Sequence, residues 1–436
     1  MNFRVKKKDS LNGKFIIPGD KSISHRSIMC ASIADGESKI TGFLHGDDCL
    51  YTAKAFTEMG VKIDNQEGRM VIKGVGMNGL QAPKKDLYLG NSGTSMRLMA
   101  GLLVGQNFSS KLTGDKSLSQ RPMLRIVEPL RNMGAEIFCE ESGTPPVSIN
   151  HSKNLNGFKY TLPIASAQVK SSLMFAALYG NHEMEIVENE QTRDHTEKMF
   201  KKFGVNISVE KINNTKNIKI ENSKSLLASD INIPGDFSSA AFFILAALIN
   251  PNSEILLENI GLNPTRTALL DVLIKMGADI QIKNILNEYE PSGDILIKTS
   301  NLIGIDLDEK LVPNLIDELP VLFIAAAFAS GETRIRGAQE LRAKESDRLE
   351  AMSHSLKALG VNFKLYSDGI DIEGQTKFNK SIKIDSFGDH RIAMASAIAC
   401  SRLDGENEIL NIENVSTSFP NFIDLCKSSG INIDIN

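Results

Sequence analysis

Positive charge gathers in this sequence where helices should begin. Lys21, Ser22 and Arg26 follow Pro18-Gly19-Asp20, and Asn91, Ser92, Gly93 and Thr94 precede Arg97. Ser166, Ala167 and Gln168 precede Lys170, while Asp389 and His390 precede Arg391. A helix N-terminus presents unpaired N–H groups and the positive end of the macrodipole, so it suits anions. A Lys or Arg there costs on the order of 0.3–1 kcal/mol at low ionic strength. Ser, Asp, Asn and Gly at such positions are ordinary caps; Lys21, Arg26, Arg97 and Arg391 are not. A bound anion would offset their cost, and salt bridges to local acids such as Asp20 or Asp389 are the alternative. Asp317 and Glu318 open a further helix. Two connecting segments add GDKSLSQRP, with Arg121, and RAKESDRL, with Lys344, Glu345, Asp347 and Arg348.

Other chemistries fit less well. GDKS resembles a shortened phosphate loop but lacks the GxxxxGK[ST] spacing. No HExxH or Cys/His cluster supports a metal site, and His25, His195 and His390 lack metal-ligand spacing. Ser22 and Ser166 have no evident His base, which argues against a nucleophilic serine.

The elements that must position these residues repeat. PGDKSISHRSIMCASIADGESKITGF from Pro18 and PGDFSSAAFFILAALINPNSEILLENI from Pro234 share a Pro-Gly-Asp opening, a small-residue apolar helix, a polar break and an alternating strand. A second helix ending in Gly then leads into a strand at Gly60, Gly134, Gly204, Gly277, Gly360 and Gly430, roughly every 70–80 residues. Gly directly after an amphipathic helix is the expected left-handed cap. The pattern predicts an α/β (α+β) fold of six βαβαββ-like units in two groups of three. The first helix of each unit is apolar almost all round and should be buried; the second is amphipathic. The two Pro-Gly-Asp segments mark the starts of the halves and a pair of hinge strands. The polar stretch Glu210–Ser229 reads as a loop or hairpin.

Composition narrows the function. The chain has 436 residues, 42% hydrophobic, enough for two or three domains. Its net charge of −4 argues against a general nucleic-acid binder. Aromatics at 6%, without Trp, disfavour base-stacking platforms. The five cysteines, Cys30, Cys49, Cys139, Cys400 and Cys426, are odd in number without CxxC spacing, as expected of reduced thiols. The basic N-terminus is followed by no apolar signal region. The apolar runs Ala240–Ile249 and Val321–Ala329 fall short of the ~20 residues of a membrane span.

PGDKSISHR, GNSGTSMRL, GDKSLSQRP, SAQVKSS, RDHTEKM, IDELPVL, AKESDRL and GDHRIAM together closely resemble the signature segments of the 5-enolpyruvylshikimate-3-phosphate synthases, a family of enolpyruvyl transferases. The resemblance covers essentially the whole chain, in order and spacing. SAQVKS and RDHTEKM are similar to the bacterial branch that differs from the enteric and plant-like type. The resemblance implies transfer of the enolpyruvyl group of phosphoenolpyruvate to the 5-hydroxyl of shikimate 3-phosphate, by addition and elimination with release of phosphate. It implies no cofactor and no metal. It also implies two domains of three units each around buried parallel helices, with the active site in the interdomain cleft. The domains would be residues 20–235, and residues 1–19 with 236–436. A cytoplasmic monomer is expected, with phosphoenolpyruvate and shikimate 3-phosphate as its only partners, neither nucleic acid nor membrane.

Residue by residue, Lys21, Gly93, Thr94, Arg121, Gln168, Arg348 and Arg391 match positions that hold phosphoenolpyruvate, the site where glyphosate binds in that family. Lys21, Ser22, Arg26, Ser166, Ala167, Gln168, Arg193, Asp317 and Lys344 match those that hold shikimate 3-phosphate. Asp317 and Glu345 are the expected acid/base pair, with Lys21 a third candidate for proton traffic. One departure stands out: the better-known branch has a Lys shortly before the terminal Phe-Pro, where this chain has Thr417 and Ser418 before Phe419. The sister transferases acting on UDP-N-acetylglucosamine typically carry Lys-Asn at Lys21-Ser22 and a reactive Cys on a loop of the first half. Here Leu112–Pro122 contains no Cys and carries Lys116.

Overall fold

The computed structural model describes every residue except Glu67 and Asn214. The chain divides into two compact units, one formed by Met1–Pro18 with Pro234–Asn436, the other by Gly19–Ile233.

Fourteen α-helices are described. The unit Gly19–Ile233 contains α1 (Lys21–Ser32), α2 (Asp47–Glu58), α3 (Gly93–Leu103), α4 (Leu124–Asn132), α5 (Ala167–Ala177) and α6 (His195–Lys202). The other unit contains α7 (Phe237–Ile249), α8 (Ala268–Lys275), α9 (Val312–Leu315), α10 (Leu319–Ala327), α11 (Arg348–Leu359), α12 (His390–Cys400), α13 (Val415–Ser418) and α14 (Phe422–Ser429). Among them α1, α3, α5, α7, α10 and α12 are buried over nearly their whole length: α7 and α10 are apolar almost all round, while α1, α3, α5 and α12 also bury polar residues such as Arg26, Arg97, Lys170 and His390. α7, α10 and α12 pack on one another to centre one core. In the other unit α3 packs on α5 and on α1. Gly101 makes that α3–α5 approach possible, since a Cβ there would lie 1.9 Å from the Ser172 carbonyl oxygen.

The second helices end as the sequence predicts. Gly60, Gly134, Gly204, Gly277, Gly360 and Gly430 have φ of +91°, +95°, +79°, +94°, +80° and +98°. Each turns the chain into the next strand, the first being Lys62–Gln66 and the last Asn432–Ile435.

Five of the six small sheets share one plan: a strand parallel to its neighbour, then antiparallel pairing. The sheet of Glu332–Ile335, Ile370–Glu373 and Asn362–Leu365 is antiparallel, with isolated parallel bridges at Ile303–Ser330 and Asp306–Arg334. Leu87–Tyr88 runs parallel to Ser110–Thr113 with α3 as the crossover. Lys159–Thr161 and Met184–Glu188 are joined likewise by α5, and Lys383–Asp385 and Glu406–Leu410 by α12. Such a crossover sets the helix N-terminus at the C-terminal end of the first strand, where open α/β folds bind ligands. Some sheets borrow strands from distant sequence. Asn2–Lys6 inserts between Glu406–Leu410 and Asn432–Ile435, and Asn12–Ile16 lies parallel to Glu254–Gly261. Leu226–Leu227 and Ile231–Asn232 lie parallel to Ala34–Thr41.

Of the two readings of Glu210–Ser229, loop or hairpin, the hairpin describes its first part. That part belongs to an antiparallel pair, Ile207–Ile212 with Thr215–Ile220, and the later part supplies the strand Leu226–Leu227. Asn214, within that stretch, lies outside the described residues. No described helix is long and apolar enough to cross a membrane.

Candidate active site

Each unit gathers its own cluster at helix openings. In Gly19–Ile233 the first contributor is α1. Asp20 caps it, accepting from Ile23 N at 2.9 Å. Lys21 pairs with Asp48, at the start of α2, with Nζ 3.2 Å from Oδ2. Arg26, one turn on, is buried and directed by three acceptors. Its Nη1 donates to the Ser22 carbonyl (2.8 Å), its Nη2 to Ser171 Oγ (2.8 Å) and its Nε to Thr196 Oγ1 (2.6 Å). Burial, together with the charge of Arg193, draws Arg26 down to about 10, against the pull of Asp20 and Glu197, so it stays protonated at neutral pH.

α3 opens beside them. Ser92 caps it by accepting from Ser95 N at 3.2 Å. Gly93, the first helical residue, is buried, and a Cβ on it would lie 3.1 Å from Arg121 Nη1 and 3.3 Å from Arg97 Nη1. Those guanidinium groups are held in turn: Arg97 bonds Gln168 Oε1 and the Pro122 carbonyl, and Arg121 bonds Asn91 Oδ1. Asn91 is fixed by its own donation to Asp115 Oδ2 at 2.8 Å. Gln168 Nε2 donates to Thr94 Oγ1 at 2.9 Å, which ties the opening of α5 to that of α3. Ser166 caps α5, accepting from Val169 N at 3.4 Å, and Ala167 is its first residue.

The buried polar seam behind these openings centres on His25. Its Nδ1 lies 2.8 Å from Thr52 Oγ1 and 3.3 Å from Ser95 Oγ, and its Nε2 lies 3.4 Å from Ser92 Oγ. Burial, then the charges of Lys21 and Arg26, hold its pKa well below the ordinary histidine value, so it is neutral.

In the unit that includes Pro234–Asn436, Asp317 is the hub. Lys344 Nζ is 3.5 Å and Arg348 Nη1 3.4 Å from its Oδ1, and Arg391 Nη2 is 3.9 Å from its Oδ2. Arg391 also donates Nη1 to the Asp317 carbonyl at 2.8 Å. Arg348 reaches Glu345 Oε2 at 2.6 Å and Asp389 Oδ2 at 2.8 Å. Burial disfavours the charge on Arg348, but Asp389, Glu345 and Asp317 more than offset this and raise its pKa. Burial likewise disfavours the Asp389 carboxylate, and Arg348 nevertheless holds its pKa below the usual range.

Asp389 caps α12 by accepting from Arg391 N at 2.9 Å, and its charge serves Arg348 rather than the Arg391 side chain. Lys21, Ser22, Arg26, Gly93, Thr94, Arg121, Ser166, Ala167 and Gln168 fall in the first cluster, with Arg193 close enough to oppose Arg26 electrostatically. Asp317, Lys344, Glu345, Arg348 and Arg391 fall in the second. The sequence reading passed over Asp48, Ser171 and Thr196. The last two stand inside SAQVKSS and RDHTEKM, so the segments were visible but not the side chains they direct. Thr417 turns its hydroxyl onto the Asn414 carbonyl at 2.6 Å, within its own short helix.

Chemically, each cluster offers guanidinium and ammonium groups with helix N–H donors, a combination suited to phosphate and carboxylate. The second adds two carboxylates able to move protons.

The chain resembles known proteins over its full length. Residues 5–425 match the family model described as EPSP synthase (3-phosphoshikimate 1-carboxyvinyltransferase). A 3-phosphoshikimate 1-carboxyvinyltransferase of Hydrogenovibrio crunogenus is 47% identical over 436 residues, covering 99% of this chain and 98% of that protein. The structure of EPSP synthase from Acinetobacter baumannii superposes with a TM-score of 0.88 at 47% identity, covering 100% of this chain and 99% of that one. The enolpyruvyl transferase NikO from Streptomyces tendae shares the fold at 12% identity, with a TM-score of 0.77 and coverage of 99% and 98%.

Proposed function

Because the chain belongs to the EPSP synthase family and is a 3-phosphoshikimate 1-carboxyvinyltransferase, we propose how its residues divide the work. The reaction joins the 5-hydroxyl of shikimate 3-phosphate to C2 of phosphoenolpyruvate while C3 gains a proton. It then removes a proton from that carbon as the C–O bond to phosphate breaks.

Lys21, Gly93, Thr94, Arg121, Gln168, Arg348 and Arg391 hold phosphoenolpyruvate. The arginines pair with its carboxylate and phosphate, for which a planar fork suits better than a point charge. Lys21, Ser22, Arg26, Ser166, Ala167, Gln168, Arg193, Asp317 and Lys344 hold shikimate 3-phosphate. Asp317 takes the proton of the attacking hydroxyl. Glu345 delivers the proton to the methylene carbon and removes it again, and Lys21 serves the bridging oxygen of the leaving phosphate.

The observation that carries this reading is the setting of Asp317. Its contacts to Lys344, Arg348 and Arg391 run from 3.4 to 3.9 Å, longer than the roughly 2.7–2.9 Å of a tight charge-assisted bond. A carboxylate shared among three cations is placed to accept a proton once anionic substrates engage those cations. We also place the enzyme in the cytoplasm as a monomer. Its five cysteines, four of them buried, form no disulfide among the described residues, which supports a reducing compartment.

The test is exchange in heavy water. Deuterium should enter the methylene group of phosphoenolpyruvate recovered from partial reactions. Glu345→Gln should slow that exchange by about 10²–10⁴, the usual worth of a positioned acid or base. Wild-type exchange in that variant removes Glu345 from the mechanism.

A further inference from the structure

The unit Gly19–Ile233 buries an ion cluster that the reaction chemistry above does not use. The Lys170 side chain on α5 is 0% exposed, with Nζ 2.8 Å from Glu197 Oε1 and 2.9 Å from Glu188 Oε1. Lys216 joins it, 3.1 Å from Glu197 Oε1 and 3.8 Å from Glu188 Oε2. Two lysines therefore face two glutamates, and the charges balance. Burial disfavours both charged forms, yet the carboxylates raise the pKa of Lys170, and the lysines lower that of Glu197.

A buried ion cluster is weak grounds for stability, because desolvation consumes most of the Coulombic gain. Its position along the chain shows what else it does. Ser171 directly follows Lys170, and Thr196 directly precedes Glu197. Ser171 Oγ and Thr196 Oγ1 are 2.7 Å apart, and together they accept Nη2 and Nε of Arg26. The ion pair thus ties α5 to the start of α6 one residue away, on each helix, from the hydroxyl pair that directs Arg26. An apolar contact would hold the helices together but leave their sliding and rotation loose. A short, directional Lys–Glu bond fixes both.

We infer that Lys170 and Glu197 are a positioning pair: they set the Ser171–Thr196 cradle and, through it, the direction in which Arg26 presents its guanidinium to shikimate 3-phosphate. The inference rests on the reading of Arg26 as a shikimate 3-phosphate ligand. Neither residue of the pair touches substrate in this account.

The test replaces both charges at once, Lys170→Met with Glu197→Met, leaving Lys216 opposite Glu188. Exchange of a buried ion pair for apolar side chains is often neutral for folding, so the melting temperature should change little. The Kd for shikimate 3-phosphate, by calorimetry, should rise about ten-fold, the scale of one misdirected charge-assisted bond. KM for phosphoenolpyruvate should move less than about two-fold, since the loss is confined to one substrate. Adding Arg26→Lys, which keeps the charge and loses the directed fork, should weaken binding no further than Arg26→Lys alone, because the pair acts through Arg26. Wild-type affinity in the paired Met variant, or full additivity with Arg26→Lys, overturns the positioning role while the reading of Arg26 stands. Unchanged affinity in Arg26→Lys alone overturns both. Should the paired variant fail to fold, Glu197→Gln, which keeps the side-chain shape, is read by the same measurements.

Discussion

Arg348 donates Nε–H to Asp389 Oδ2 at 2.8 Å, and the two side chains are 1% and 0% exposed. Asp389 also caps α12, so one carboxylate anchors a helix opening and orients a buried guanidinium from another helix. Asp389→Asn keeps the cap acceptor but removes the foremost of the three carboxylate charges that hold the buried Arg348. It should cost about 3–5 kcal/mol, the range for breaking a buried pair from one side. Denaturant melts check this; a loss below ~1 kcal/mol would mean that Glu345 and Asp317 suffice for Arg348.

Gly93→Ala should impair phosphoenolpyruvate and spare shikimate 3-phosphate. The added Cβ would stand 3.1 Å from Arg121 Nη1 and 3.3 Å from Arg97 Nη1, at a helix opening of the kind that suits a small anion. The guanidinium tips can shift, so the protein should fold normally. KM for phosphoenolpyruvate should rise by about ten-fold, the effect of displacing one charged contact. Inhibition by glyphosate should weaken with it. Equal glyphosate inhibition of variant and wild type would place Gly93 away from that ligand.

Acid should weaken the fold through His25. Burial, Lys21 and Arg26 hold its folded-state pKa well below 6.5. Between that value and 6.5 the unfolded chain binds a proton that the native protein refuses, so stability rises with pH across the window and is level above it. From pH 7.5 to 5 the loss should reach at most about 2 kcal/mol from this one group. The lowered carboxylates of Asp389 and Glu197 act only below their unfolded pKa values, near pH 4–4.5. Thermal melts at several pH values should show a shallower acid slope for His25→Gln than for wild type; equal slopes would exclude His25 as the source.

Local signals in the sequence were sufficient for the repeating frame. Helix caps, left-handed glycines and apolar periodicity are encoded within a few residues, so six helix openings and six Gly-to-strand turns could be found without any partner being known. The strand exchange was different. Asn2–Lys6 pairs with Glu406–Leu410, some four hundred positions away, and nothing within either segment specifies the other; only the family resemblance pointed to the N-terminus joining the second half. Side-chain partnerships were equally hidden. Asp20 was visible as the neighbour of Lys21, but the Lys21–Asp48 pair forms only when the opening of α2 is brought beside that of α1. Arg26 looked like a ligand-facing cation, and that it is aimed by Ser171 and Thr196 emerges only when α1, α5 and α6 meet.

The most direct measurement is phosphate release from phosphoenolpyruvate by the purified protein, with either shikimate 3-phosphate or UDP-N-acetylglucosamine as acceptor. The account predicts steady release with shikimate 3-phosphate, none with UDP-N-acetylglucosamine, and a loss of about 10²–10⁴ in kcat for Glu345→Gln and for Asp317→Asn. Release with UDP-N-acetylglucosamine, or none from the folded protein with shikimate 3-phosphate, would contradict it.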